Sequence, residues 1–231
     1  MKVFSYKAWL YIFSSVMLLM NTALLCANAY PNLNKSKIIN ALYEHYGERA
    51  AKRGRAWFEV QSLSYDLKEL EKVKKINNFF NLFYFIDDIK LWGEENYWAT
   101  PVEFIGANGG DCEDFAIAKY FSLLELGVPD EKMRITMVKA IKLNQYHMVV
   151  AYYETSSSVP LILDNLTDKI KPASQRTDLL PIYSFNGKQL WLNKEKGLGV
   201  VAGKSQRIKH WSNLNKRMRL SKIRQPKLRM E

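Results

Sequence analysis

Residues 109–129 read GGDCEDFAIAKYFSLLELGVP. Gly109 and Gly110 give the backbone the freedom for a tight turn. From Cys112 to Leu126 the residues favour a helix, with Ala116, Ala118 and the run Tyr120 to Leu124. Gly127 followed by Pro129 stops it. Downstream the pattern changes to that of strands. Arg134 to Leu143 and His147 to Tyr153 are rich in β-forming residues, and Asn144-Gln145 joins them as an antiparallel pair. Leu161 to Leu166 is a third candidate strand. Thr177 to Tyr183 and Gln189 to Leu192 carry weaker strand signals.

Upstream the period is helical. Asn34 to Glu48 places Ile38, Ile39, Leu42 and Tyr43 at helix spacing. Val60 to Asn78 repeats it with Leu63, Leu67, Leu70, Val73 and Ile76, which predicts one amphipathic surface helix. Phe79 to Tyr84 and Ile86 to Trp92 are aromatic and apolar, as expected of core beneath a sheet. Turn signals follow at Pro101 and at Asn108-Gly109-Gly110. Helices first, then a central helix, then an antiparallel sheet describe an α+β domain with its helices segregated.

Composition sets the bounds. The chain has 231 residues, 48% hydrophobic and 25% charged, with 7 Pro and 11 Gly. That excludes a disordered or collagen-like chain and suits one domain. The N-terminus reads as a secretory signal over residues 1–29. Lys2 and Lys7 form the basic region, Ala8 to Met20 the apolar one, and Ala27-Asn28-Ala29 the small-residue cleavage site. Asn21 and Thr22 shorten the segment for a membrane anchor. Leu25 before Cys26 is the wrong residue for a lipoprotein.

The net charge of +11 is concentrated at the other end. Residues 204–231 hold ten Lys or Arg and one acid, whereas 30–203 is neutral. The domain therefore spans 30–211 and the basic tail 212–231. Trp211 and Leu214 are expected to pack on the domain and the remainder to stay solvated. Docking to an acidic partner or weak contact with anionic lipid are the other roles open to the tail, and nucleic acid is not expected for an exported protein.

Removal of the signal leaves Cys112 as the single cysteine, in an exported protein. It falls in the first turn of its helix, where unpaired N–H groups and the helix dipole favour a thiolate. Flanking Asp111, Glu113 and Asp114 oppose that unless a cation neutralises them. Only His45, His147 and His210 can partner the thiol. His147 opens a strand, and Asp164 lies near the end of the next. The order Cys112, His147, Asp164 suits a nucleophile, a base and an acid that orients the base. A buried helix-start cysteine, a strand-edge histidine and a strand-end turn are the plainer readings of the same residues.

The stretches GDCEDFAIAKYFSLLELGVP, HMVVAYY and PLILDNL resemble the bacterial transglutaminase-like cysteine peptidases. YWATPVEFIG before them and PASQRTDLLPIYSFNG after them fit the same pattern, so the resemblance spans Tyr84 to Trp211. Residues 30–83 are less distinctive and compatible with a helical N-terminal lobe. The resemblance implies a papain- and transglutaminase-like fold, with the cysteine helix packed on an antiparallel sheet. It implies Cys112 as nucleophile, His147 as base and Asp164 as orienting acid.

It also implies calcium dependence, with Asp111, Glu113 and Asp114 as ligands. Three carboxylates within four residues suit a hard cation, although carbonyls from the Ile105–Gly110 loop or Asn108 would have to complete the shell. Without the resemblance, Asp111 is a helix cap and the other two acids complement the dipole. The substrate implied is the N-terminal region of a large surface adhesin, cut at a pair of alanines in the periplasm to disperse a biofilm. The partner implied is an inner-membrane cyclic di-GMP receptor that sequesters the protease. Two rivals share these residues: a transglutaminase that resolves the thioester with an amine, and a non-catalytic peptide-binding module. For the oxyanion hole the Cys112 N–H is the first donor, while Trp98 and Asn108 compete for the second.

Overall fold

In the computed structural model, residues 35–193, 199–219 and 221–230 are described. The signal segment expected at 1–29 lies outside them. Three helices lead the described chain: α1 (Lys35–Tyr46), α2 (Glu48–Ser64) and α3 (Glu69–Phe80). The single helix predicted over 60–78 is in fact the end of α2 and most of α3, separated by a turn. The apolar stripe assigned to it does not face inward at its start: Leu63 is 66% exposed. Gly54, Trp57 and Ser64 form the buried side of α2 instead, and Val73, Ile76 and Phe80 that of α3.

Strand β1 (Tyr84–Phe85) pairs in parallel with β2 (Gly109–Gly110), Tyr84 opposite Gly109. Between them lie two short helices, α4 (Asp88–Leu91) and α5 (Pro101–Ala107). Thr100 and Glu103 form a capping box at the start of α5, with Pro101 in the first helical position. This small pairing places residues 84–88 beside the turn that leads into α6 (Cys112–Glu125).

The sheet follows in seven antiparallel strands: β3 (Met133–Ala140), β4 (Gln145–Tyr152), β5 (Leu161–Leu163), β6 (Lys171–Pro172), β7 (Leu179–Phe185), β8 (Gln189–Leu192) and β9 (Val200–Lys204). Their spatial order is β6-β5-β4-β3-β7-β8-β9. All five predicted strands are present, Gln189–Leu192 with the expected ends and the other four with shifted ones; the turn between β3 and β4 takes residues 141–144.

Helix α6 packs on β4 and β3, and almost all of it is buried. Ile117, Tyr120 and Leu123 join Met148, Val150 and Tyr152 in the main core. A smaller cluster of Val138, Val149, Ala151 and Ile162 lies apart from it. The Trp57 indole donates to Ser122 Oγ at 2.9 Å, and Lys72 Nζ donates to the Leu126 carbonyl at 2.8 Å, capping the C-terminus of α6. No helix among the described residues is long and apolar enough to cross a membrane.

Past Leu214 the basic end is only partly solvated: Met218 is buried, whereas Lys222, Lys227 and Arg229 are exposed. Helix α7 (Lys209–Arg219) buries Trp211, Leu214 and Met218. Trp211 stacks on Phe121 with ring centroids 5.4 Å apart and meets Phe185 edge-on at 5.1 Å. Beyond it, Lys227 N–H donates to the Leu91 carbonyl at 2.7 Å. Two of its cations, Arg217 and Arg224, meet carbonyls, carboxylates and the Tyr97 ring.

Candidate active site and carboxylate cluster

Cys112 begins α6, and α6 begins against β4. The Met148 N–H, one residue past His147, points at the Cys112 sulfur. On the other side the thiol donates to Glu113 Oε2 at 3.2 Å. Burial, then Glu113 and Asp111, push the thiol's pKa up. The helix dipole is outweighed here by desolvation and by two carboxylates.

His147 is 5% exposed. Its Nε2 lies 2.7 Å from Asp164 Oδ1. Asp164 follows β5 and is buried, yet well supplied with donors. Leu166 N–H reaches Oδ1 at 2.9 Å, and Arg176 Nη2 reaches Oδ2 at 2.8 Å. Burial would raise this carboxyl, but the bonds from His147, Leu166 and Arg176 together hold it well below the usual carboxylate range. Asp164 is therefore an anion, and His147 carries its ring proton on Nε2, facing it. Asn81 anchors the same turn by donating to the Asp164 carbonyl at 2.9 Å. His45 and His210 lie elsewhere: His45 at Gln225, His210 stacked on Trp98.

Two residues near this arm escaped the sequence reading. Arg176, from the quoted stretch PASQRTD, is 7% exposed and bridges Asp164 to Asp178. Lys119, two turns along α6 from Cys112, is 1% exposed, and its Nζ has no hydrogen-bond partner among the described residues. Burial lowers its pKa to about 7, against the pull of Asp164.

The acids flanking Cys112 do not serve as caps. Asp111 occupies the N-cap position of α6 without a side-chain capping bond. Instead, oxygens of Asp88, Asp111 and Asp114 converge, all within 4.8 Å of one another. Asp88, from the start of α4, was invisible to local reading. Tyr97 N–H donates to Asp88 Oδ2, and Ala99 N–H donates to Asp114 Oδ1 at 2.6 Å. Asp88 Oδ1, Asp111 Oδ1 and Asp114 Oδ2 are buried and have no hydrogen-bond partner among the described residues.

Without a counter-charge, burial and mutual repulsion raise Asp88 to about 7 and Asp111 to about 11, and push Asp114 far up as well. Unpartnered buried oxygens from carboxylates alone fit a hard cation. Glu113 lies on the thiol side of this cluster, grouped with Asp111 and Cys112. Four of the loop carbonyls expected to help already accept hydrogen bonds: Ile105 and Gly106 from Arg53, Asn108 from Tyr84 N–H, and Gly110 from Ile86 N–H. Gly110 is needed for proximity, since a Cβ there would stand 2.2 Å from Asp114 Oδ2. Of the competing oxyanion donors, the Trp98 indole N–H is committed to Asn96 Oδ1 at 2.8 Å.

A helix-start cysteine that meets the backbone next to a histidine, itself paired with a buried anion, is compatible with the layout of thiol enzymes that work by acyl transfer. Sequence comparison gives the finer placement. The chain belongs to the bacterial transglutaminase-like cysteine proteinase family, whose profile matches residues 41–197. Among solved structures it is similar to Legionella pneumophila LapG in its EGTA-treated form, with 42% identity and a TM-score of 0.72 over 81% of this chain and 99% of that one. The calcium-bound form of Legionella LapG matches at 41% identity and a TM-score of 0.67, over 80% and 99%. No curated protein matches the sequence. The transglutaminase-like fold expected from the sequence is thereby shown.

Proposed function

We propose that this chain is a calcium-dependent cysteine endopeptidase, with Cys112 as nucleophile, His147 as base and Asp164 as orienting acid. The carrying observation is the His147–Asp164 pair, next in the chain to the Met148 N–H that meets the thiol, together with three converging carboxylates that each keep one buried oxygen without a partner among the described residues. Similarity to Legionella LapG, solved both calcium-bound and EGTA-treated, supports the choice of cation.

Asp164 fixes the ring proton on Nε2 and leaves Nδ1 as the acceptor. Cys112 gives its proton to Nδ1 as Sγ bonds to the scissile carbonyl carbon. His147 returns that proton to the departing amine, and a thioester remains. Water then attacks, losing a proton to His147, and the acid and the free thiol are restored. Asp88, Asp111 and Asp114 would hold the cation, with Glu113 at its edge. Bound calcium supplies positive charge that offsets the carboxylates opposing the thiolate.

The substrate class follows from the resemblance: the N-terminal region of a large surface adhesin, cleaved in the periplasm after export, with biofilm dispersal as the consequence. A cyclic di-GMP receptor in the inner membrane is the sequestering partner in this reading.

The test is a cleavage assay on residues 30–231 with such an adhesin fragment, in calcium and then in chelator, with Cys112→Ala alongside. A single cut, lost in the variant and in chelator, is the expected result. A cut that survives chelation removes calcium from the reading. Ammonia release with cross-linked product, and no new N-terminus, would favour the transglutaminase instead. Bound but uncut substrate in calcium would favour the binding module.

A further inference from the structure

We propose that the basic C-terminal end clamps the loop that shapes the cation site, with Arg217 and Arg224 as positioning residues. This rests on the calcium reading above.

Loop residues 92–100 contribute two backbone donors to the carboxylate cluster, Tyr97 N–H and Ala99 N–H. Arg217 Nη2 donates to the Trp98 carbonyl. That carbonyl and the Ala99 N–H belong to one planar peptide unit and point in opposite directions. Gripping the oxygen therefore aims the N–H at Asp114. A charge-assisted bond to the carbonyl also polarises the peptide and strengthens the N–H as a donor.

Tyr97 is held as firmly. The guanidinium groups of Arg217 and Arg224 lie 4.6 and 4.7 Å from its ring centre. Its hydroxyl donates to Glu103 Oε1 at 2.9 Å, and the Arg224 N–H reaches the same oxygen at 2.9 Å. Glu103 is fully buried, so these bonds are sheltered from water. Arg224 Nη2 donates to the Trp92 carbonyl at 3.0 Å and to Glu94 at 2.9 Å. Lys227 N–H and Met230 secure the side of the loop next to Asp88, at Leu91 and in the cluster of Ile86, Leu91 and Trp92. Every part of the loop that touches a carboxylate of the cluster is thus fastened from behind by residues 217–230.

The sign of the effect separates a clamp from simple charge. Removing a cation near an acidic site, taken alone, tightens calcium binding by relieving repulsion. Loosening the clamp weakens it. The experiment is calorimetric titration of residues 30–231 with calcium, for wild type, Arg217→Ala, Arg217→Lys and Arg224→Ala, with the unloaded melting temperature measured beside it. Arg217→Ala is expected to raise the calcium Kd about 10- to 100-fold, the range for residues that orient metal ligands. Arg217→Lys, which keeps the charge but not the planar fork, should fall between it and wild type. A Kd that is unchanged or lower in all three variants overturns the clamp, even if their melting temperatures fall. Should Arg217→Ala fail to fold, Arg217→Lys and Arg224→Ala decide the matter by the same criterion. Wild-type protein that takes up no calcium removes the cation reading and the clamp together; wild-type binding matched by the variants removes the clamp alone.

Discussion

Asp164 accepts from two donors at once: His147 Nε2 lies 2.7 Å from one of its oxygens and Arg176 Nη2 lies 2.8 Å from the other. The histidine is held by an anion that is itself held. Asp164→Asn removes the charge and offers the wrong face to the ring, and kcat is expected to fall by about 10⁴, as in other triads. Arg176→Met leaves a buried carboxylate short of a partner and should cost about 3 kcal/mol of stability. Peptide-cleavage kinetics and thermal melts on both variants check this. An Arg176→Met protein as stable as wild type would show that Asp164 does not depend on its guanidinium.

Chelated protein should lose stability as pH rises. Asp88 and Asp111 start from an ordinary value of 3.8 and are raised to about 7 and about 11 in the folded chain. The native state therefore binds more protons than the unfolded state above about pH 4, and unfolding free energy falls with increasing pH. Differential scanning in chelator from pH 5 to 8 should show a falling melting temperature. Saturating calcium should flatten the curve. Parallel curves with and without calcium would mean that no cation reaches these carboxylates.

Lys119 pulls the opposite way. Its pKa is depressed from 10.5 to about 7, so between those values the unfolded chain binds the extra proton and stability rises with pH. Lys119→Met removes both that slope and the cost of burying an amine without a partner, about 1–3 kcal/mol. The comparison belongs in calcium-saturated protein, where the carboxylate slope is absent. Equal melting curves for variant and wild type between pH 7 and 10 would rule the effect out.

The two glycines before Asp111 should fail differently. A Cβ at Gly109 would stand 2.1 Å from the Tyr84 carbonyl oxygen, at a φ of +157°. Gly109→Ala collides with backbone and is expected to destabilise the fold by about 1–3 kcal/mol or more. A Cβ at Gly110 meets the Asp114 carboxylate instead. Gly110→Ala should therefore weaken calcium binding about tenfold or more while the chain still folds. Melting temperature and calcium Kd, measured on both, would expose the error if the two variants behaved alike.

How much of this the sequence disclosed depends on the reach of each interaction. Cys112, His147 and Asp164 sit at the ends of elements with strong local signals, so their order along helix and strands was readable. The break at Tyr65–Lys68 was not, because an apolar period that runs on through a turn looks the same as one helix. Nothing in the local pattern of the central helix marks Lys119; the packing of α3, β3 and β4 against α6 buries that helix. Asp88 reaches the cluster through the two-residue pairing of Tyr84 and Phe85 with Gly109 and Gly110, which leaves no pattern in the chain. The basic end was legible as charge, while its partners, Trp98, Glu103 and Tyr97, lie more than a hundred residues away.

That distance matters to a shortened chain. Lys227 and Leu228 donate to the carbonyl of Leu91, and both follow it in the chain by more than the whole of α6 and the sheet. Helix α6 and strands β3 to β9 all precede them in sequence. The loop between Leu91 and Thr100 is fastened by residues 217–230, so a chain clipped short of residue 217 keeps the Cys112 helix but leaves its carboxylate cradle unfastened.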